Sequence, residues 1–153
     1  MRKSLFITYI KIILAILMIC GLIYGTIKFL WKEYDKEEYE DIKTNMLLIQ
    51  NKIETIAQKV EIKEKDAKYI GTKIEEREND VKVQNLINNQ VIDIYSKDSN
   101  YYCIDNSNLK ELGLENIMVD DYYIVDYKKN DVIYIDGIEN KDGNIIYKLS
   151  DMK

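Results

Sequence analysis

Two cysteines, a scatter of serines and several acidic runs are the residues of this 153-residue chain best able to do chemistry. None has a partner of the right type beside it. Histidine is absent, which removes the commonest general base and the commonest metal ligand. Cys103 lies in "YYCID". A reactive thiolate needs a neighbouring base or cation, so a strand cysteine among apolar residues reads as inert core. No serine stands in G-x-S-x-G, and neither G-x-x-x-x-G-K-[ST] nor G-x-G-x-x-G occurs. In "IENKDGNI", Asn140, Asp142 and Gly143 fall at the third, fifth and sixth positions of a calcium loop. The first and twelfth fall on Ile138 and Leu149, so the strongest carboxylates are missing and a hairpin turn is the plainer reading. Asp120 and Asp121 read as the start of a strand. These patterns predict no enzyme, no cofactor, no metal and no small-molecule substrate.

The elements behind these residues begin with "SLFITYIKIILAILMICGLIYGTIKFLWKEYDKEEYED". Ile12 to Ile27 are uncharged, and with Leu5–Ile10 and Phe29–Trp31 they give a helix of roughly 40 Å, enough to cross a hydrocarbon core of about 30 Å. Lys11 and Lys28 sit where their stems can lie in lipid and their ammonium groups reach water, and Tyr9, Tyr24 and Trp31 suit the interfaces. The run is too long for a cleaved signal peptide and no A-x-A succeeds it. "LMICG" is a poor lipidation site, because Ile19 is not small and the chain stays apolar after Cys20. Gly21 and Gly25 form a G-x-x-x-G pair that allows close helix packing. With Cys20 in the membrane, Cys103 has no partner for a disulfide within the chain.

The net charge of −5 divides into +4 over residues 1–31 and −9 over the rest. Basic Arg2 and Lys3 precede the span and acids come after it, which predicts a cytoplasmic N-terminus, a span in membrane lipid and an extracytoplasmic domain. So acidic a domain argues against nucleic acid.

Beyond the span, Tyr39, Ile42, Met46, Ile49, Ile53, Ile56 and Val60 recur in steps of three and four. That is the stripe of an amphipathic helix, to be packed on its own domain or against another chain. With no Pro or Gly between Thr26 and Ile70, the helix is expected to run unbroken to about Lys65, and Gly71 is expected to act as a helix breaker. "DVKVQNLINNQVI" reads as a short helix with Val83, Leu86, Ile87 and Val91 inward, and "NYYCI" as a strand. "NSNLKELGLENI" reads as a helix capped by Asn106 or Ser107 and stopped by Gly113. "DDYYIVDY", "DVIYIDGI" and "NIIYKL" predict an antiparallel meander with turns at "KKN" and "ENKDG".

The fold class expected is α+β: a long N-terminal helix, transmembrane then amphipathic, packed on a small antiparallel sheet. The segments are 1–31, 32–65 and a head at 66–153. If Asp126, Asp136 and Lys148 mark the solvent side, then Tyr123, Val125, Ile133, Ile135, Tyr147 and Leu149 form the core face. Tyr122, Ile124, Val132, Tyr134 and Ile146 are then left on the other face, as a partner surface or under residues 66–118.

This layout resembles the type IV pilins and the pseudopilins of type II secretion, and the "YYIVDYKKNDVIYIDGIENKDGNIIYKL" tail resembles that of small Gram-positive pilin-like proteins. The family's cleavage motif is a Gly before Phe-Thr-Leu-Ile-Glu. Here "SLFITYIK" has Leu5 before Phe6 and Ile10 where the glutamate belongs. The resemblance implies a structural or assembly role in the envelope, with self or other pilin-like or envelope proteins as partners, and the departure from the cleavage motif fits an unprocessed chain better than a major pilin. Single-pass septal scaffolds share the basic tail, span, heptad helix and outer domain. They would use residues 39–60 as a coiled coil with another chain, and a membrane-tethered binding domain is the other alternative.

Overall fold

The computed structural model describes residues 2–152, with side chains described for 7–29 and 36–152. The side chains of Arg2, Lys3, Leu5, Phe6 and Trp31 lie outside that description. The chain divides into two units, Met1–Glu38 and Tyr39–Lys153, so the amphipathic stripe belongs with the head. The described residues of the first unit are all helical, part of α1 (Arg2–Glu61).

In the second unit α1 ends at Glu61, short of Lys65, and Gly71 has no part in stopping it. Lys63 takes the left-handed conformation (φ 53°). Its N–H donates to Val60 O (3.1 Å) and Glu64 N–H donates to Lys59 O (3.0 Å), which satisfies the last carbonyls in a Schellman arrangement. Gly71 serves a different need. Its φ is 108°, and a Cβ there would stand 2.7 Å from the Cys103 carbonyl oxygen, so only glycine lets the chain run this close to the next strand.

The head contains five strands: β1 (Thr72–Lys73), β2 (Tyr101–Ile104), β3 (Tyr123–Asp126), β4 (Asp131–Glu139) and β5 (Ile145–Lys148), antiparallel throughout and in sequential order. The expected meander is therefore the second half of a larger sheet. Helix α2 (Val81–Asn88) buries Val83 and Leu86. Helix α3 (Asn106–Glu111) buries Leu109 and stops at Gly113 (φ 70°) as expected. Its cap is one residue earlier than Asn106 or Ser107. Asp105 accepts from the Ser107 and Asn108 N–H groups, and Asn108 Oδ1 accepts in return from Asp105 N–H (3.2 Å).

Both faces of the sheet are apolar, and each has its own cover. On one face Ile42, Met46, Ile49 and Ile53 of α1 pack with Tyr102, Ile104, Tyr123, Val125, Val132, Ile138 and Leu149, joined by Leu109 and Leu112. Ile56 is half-buried against the same core, and Val60 is half-buried at the end of the stripe. On the other face Ile74, Val83, Leu86, Ile92 and Ile94 pack with Tyr101, Cys103, Tyr122, Ile124, Ile133 and Ile135.

This corrects the expected faces on β4 and β5. Tyr123 and Val125 do meet α1, but their cross-strand partners are Tyr134 and Val132, while Ile124 pairs with Ile133. The cause is turn length. The β3–β4 turn spans four residues, Tyr127–Asn130, rather than the three of "KKN", and one extra residue exchanges the faces of the whole next strand. Asn130 closes the turn at φ 51°. Farther on, β4 advances five residues from Ile133 to Ile138 while β5 retreats two from Lys148 to Ile146. This bulge contains Gly137 (φ 68°), where a Cβ would lie 2.5 Å from Ile145 Cγ2. Ile146 consequently packs toward α1 and Tyr147 toward α2.

A charge placed in the α1 seam tests this packing. Ile53→Asp buries an unpaired carboxylate at a cost of several kcal/mol, comparable with the whole stability of a domain this size. In detergent-solubilised protein, the near-UV circular dichroism melt should lose its cooperative transition. Ile62→Asp, at a side chain 74% exposed, should stay within about 0.5 kcal/mol of the parent.

Candidate functional site

The apolar helix and the charged seams of the head are the places where function can reside. Ile7–Phe29 is long and apolar enough to cross a membrane, and none of its side chains is buried. Nothing lies within 4 Å of a Cβ built on Gly21 or Gly25, so that face of the helix is open. The Thr26 hydroxyl bonds back to its own helix at Leu22 O (3.0 Å) and Ile23 O (2.9 Å), which satisfies that polar group in an apolar setting. Cys20 is exposed and Cys103 is buried, and both are free thiols. Burial pushes the Cys103 thiol up to about 12, the opposite of activation.

The five residues expected to form a partner surface do not form one. Tyr122 and Ile124 are buried under α2, while Val132, with half-buried Tyr134 and Ile146, faces α1. Tyr122 instead fastens a seam. Its hydroxyl donates to Asp80 Oδ2 (2.7 Å), and Asp80 Oδ1 accepts from Lys82 N–H (2.9 Å), which caps α2. The Arg77 guanidinium lies 4.7 Å over the Tyr122 ring. Burial works against the Asp80 carboxylate, but the Tyr122 hydroxyl, the Lys82 N–H and the charges of Arg77 and Lys82 outweigh it and hold its pKa below the usual value. Lys82 also reaches across to Asp121 and to Asp136 (2.6 Å), which raises its own pKa. Asp136 and Asp121 thus tie α2 to the sheet; Asp121 lies two residues ahead of β3 rather than at the strand start read for it.

On the α1 face, Tyr69, Tyr102 and Tyr127 form a ring cluster with centroids 4.5–5.5 Å apart. Tyr127 Oη donates to Ile70 O (2.9 Å) and accepts from Ile70 N–H (3.1 Å), which pins the segment after α1. Gln50 Nε2 donates to Asn130 O (2.7 Å) and ties α1 to the β3–β4 turn. "IENKDGNI" is a hairpin turn, in which Asn140 Oδ1 accepts from Asp142 N–H (2.9 Å) and Asn144 N–H (3.0 Å).

Asp80, Asp105 and Asp126 are the important residues that sequence reading missed. The first two had a signal, a short acid immediately before a helical run. Asp126 had none. Read as a solvent marker, it is 1% exposed. An open cleft of about 330 Å³ runs along β5, lined by Val91, Ile146 and Tyr147 with Lys148 and Asp151 at its rim. No group of three or more acidic or cysteine side chains among the described residues is arranged to hold a metal.

Comparison with protein-family models, with curated proteins and with solved structures finds no match to this chain.

The seams predict how stability responds to pH. Asp80 and Asp105 are lowered in the folded state, the latter first by the Ser107 hydroxyl, so their contribution is present above about pH 4 and is lost as pH falls through their folded values. Burial raises Tyr122, and pushes Tyr123, Tyr127 and Cys103 to about 12. Their contribution is present below their unfolded values, near 10 for the tyrosines, and is lost as pH rises toward 12. The tyrosinate absorbance of the buried Tyr122, Tyr123 and Tyr127 should therefore appear together with loss of near-UV dichroism above about pH 11. Full ionisation near pH 10 in the intact fold would contradict the burial described.

Proposed function

We propose that this chain is a non-enzymatic, single-pass membrane protein of pilin-like layout, with its head outside the cytoplasm in a structural or assembly role. The observation that carries the reading is Ile7–Phe29: a 23-residue, predominantly apolar helical segment with no buried side chain, in a chain whose head closes its own cores from residue 39 onward. A helix that no protein core covers needs lipid as its solvent. The basic residues precede it and the acidic domain comes after it, which supports an N-in, C-out orientation. Burial of the Cys103 thiol supports a role without nucleophilic chemistry. The septal reading needs residues 39–60 free for another chain, and complete burial of Met46, Ile49 and Ile53 in their own head counts against it. Assembly would then use the membrane helix rather than the sheet faces, and Gly21 with Gly25 offers the closest approach.

Protease added to intact spheroplasts should remove a C-terminal tag while the chain keeps its original N-terminus. A protected tag, or a mature N-terminus beyond residue 25, contradicts the reading. For assembly, Gly21→Leu combined with Gly25→Leu should reduce disulfide crosslinking through Cys20 severalfold in membranes. Unchanged crosslinking would remove this face as the contact.

A further inference from the structure

Three buried side-chain oxygens have no hydrogen-bond partner among the described residues: Ser99 Oγ, Asp126 Oδ2 and Asn130 Oδ1. All three belong to one corner of the head, where the segment entering β2 meets the β3–β4 turn. The two segments are stitched together there. Asn100 N–H donates to Asp126 Oδ1 (2.9 Å), Tyr127 N–H donates to Asn100 O (3.0 Å), and the Lys128 ammonium donates to Lys97 O. Ser99 immediately precedes Asn100, and Asn130 closes the turn that Asp126 opens.

Asp126 is the unusual member. Its Oδ1 accepts from three backbone N–H groups, of Asn100, Lys128 and Lys129, while Oδ2 accepts from none. The residue is 1% exposed and forms no ion pair among the described residues, because the Lys128 ammonium is directed at a carbonyl. A buried carboxylate with a bare oxygen and no counter-charge is costly. A water molecule would fill the hydrogen-bonding need but leave the charge, whereas a cation fills both. The unpaired atoms are a carboxylate, an amide and a hydroxyl oxygen, with no nitrogen or sulfur, which is the donor set of a hard cation.

We propose that this corner binds calcium through Asp126, Asn130 and Ser99. With a single carboxylate the site is weak, with Kd on the order of 10⁻⁴–10⁻³ M, and water supplies the remaining ligands. Magnesium demands near-ideal octahedral geometry with ligands at about 2.0–2.1 Å, whereas calcium accepts an irregular set of carboxylate, amide and hydroxyl oxygens at longer distances.

The test uses detergent-solubilised full-length protein, stripped with chelator, at constant ionic strength. Calcium at about 5 mM should raise Tm by about 3–6 °C, and magnesium at the same concentration by much less. Terbium, a calcium surrogate, should show tyrosine-sensitised emission that calcium competes away, since Tyr127 adjoins Asp126. Asp126→Asn should abolish both effects. Should that variant not fold, Asn130→Ala and Ser99→Ala serve instead, each weakening the terbium signal at least severalfold. Absence of any calcium shift and of sensitised emission in the parent would overturn the site. So would equal responses to calcium and magnesium that survive Asp126→Asn, since these would mark diffuse binding to the acidic surface.

Discussion

A sheet of short strands with two apolar faces must be covered twice, and that requirement organises the head. On one side the cover is α1. Four of its side chains, Ile42, Met46, Ile49 and Ile53, are buried. At about 1.5–3 kcal/mol for each fully buried side chain, they supply roughly 6–12 kcal/mol of gross burial, the same order as the net stability of a whole domain. The stripe is therefore part of the head core, and residues 39–61 fold with the strands. On the other side the cover is thinner: a single 3₁₀ turn (Ile74–Arg77), the short helix α2 and the segment through Ile94. A cover that short buries few side chains, and polar ties add to it. Asp80 at once caps α2, accepts from Tyr122 and faces Arg77, while Lys82 bridges to Asp121 and Asp136.

Much of the fold was legible because its signals are periodic and local. The spacing of Ile42, Met46, Ile49 and Ile53 declared a helix face, alternation declared the three C-terminal strands, and Gly113 declared a helix stop. The faces of β4 and β5 were not legible. They depend on whether the turn after Asp126 holds three residues or four and on a bulge at Gly137, and a one-residue difference exchanges every side chain between faces. The end of α1 was hidden for a similar reason. Lys63 occupies a left-handed position that glycine usually takes, so composition drew attention to Gly71, whose role is a close approach to Cys103.

The candidate sites divide along the same line. Nothing stands within 4 Å of a Cβ built on Gly21 or Gly25, and the close helix packing that their spacing allows belongs to the assembly proposal. The head surface built from Tyr122, Ile124, Val132, Tyr134 and Ile146 dissolved once the register was known, because these residues serve two different cores. Asp126 could not be read from sequence at all. An acid flanking a strand normally points to water, and only the fold shows three backbone N–H groups converging on one of its oxygens while the other stays bare.

Native-state hydrogen exchange of the full chain in detergent tests most directly whether the stripe of α1 and the sheet form one cooperative unit. If they do, the amides of residues 46–53 and those of β3 exchange through the same global opening, with equal free energies and equal denaturant dependence. Exchange of residues 46–53 at markedly lower free energy, while β3 stays protected, would show a head that folds without its helix and would contradict a shared core.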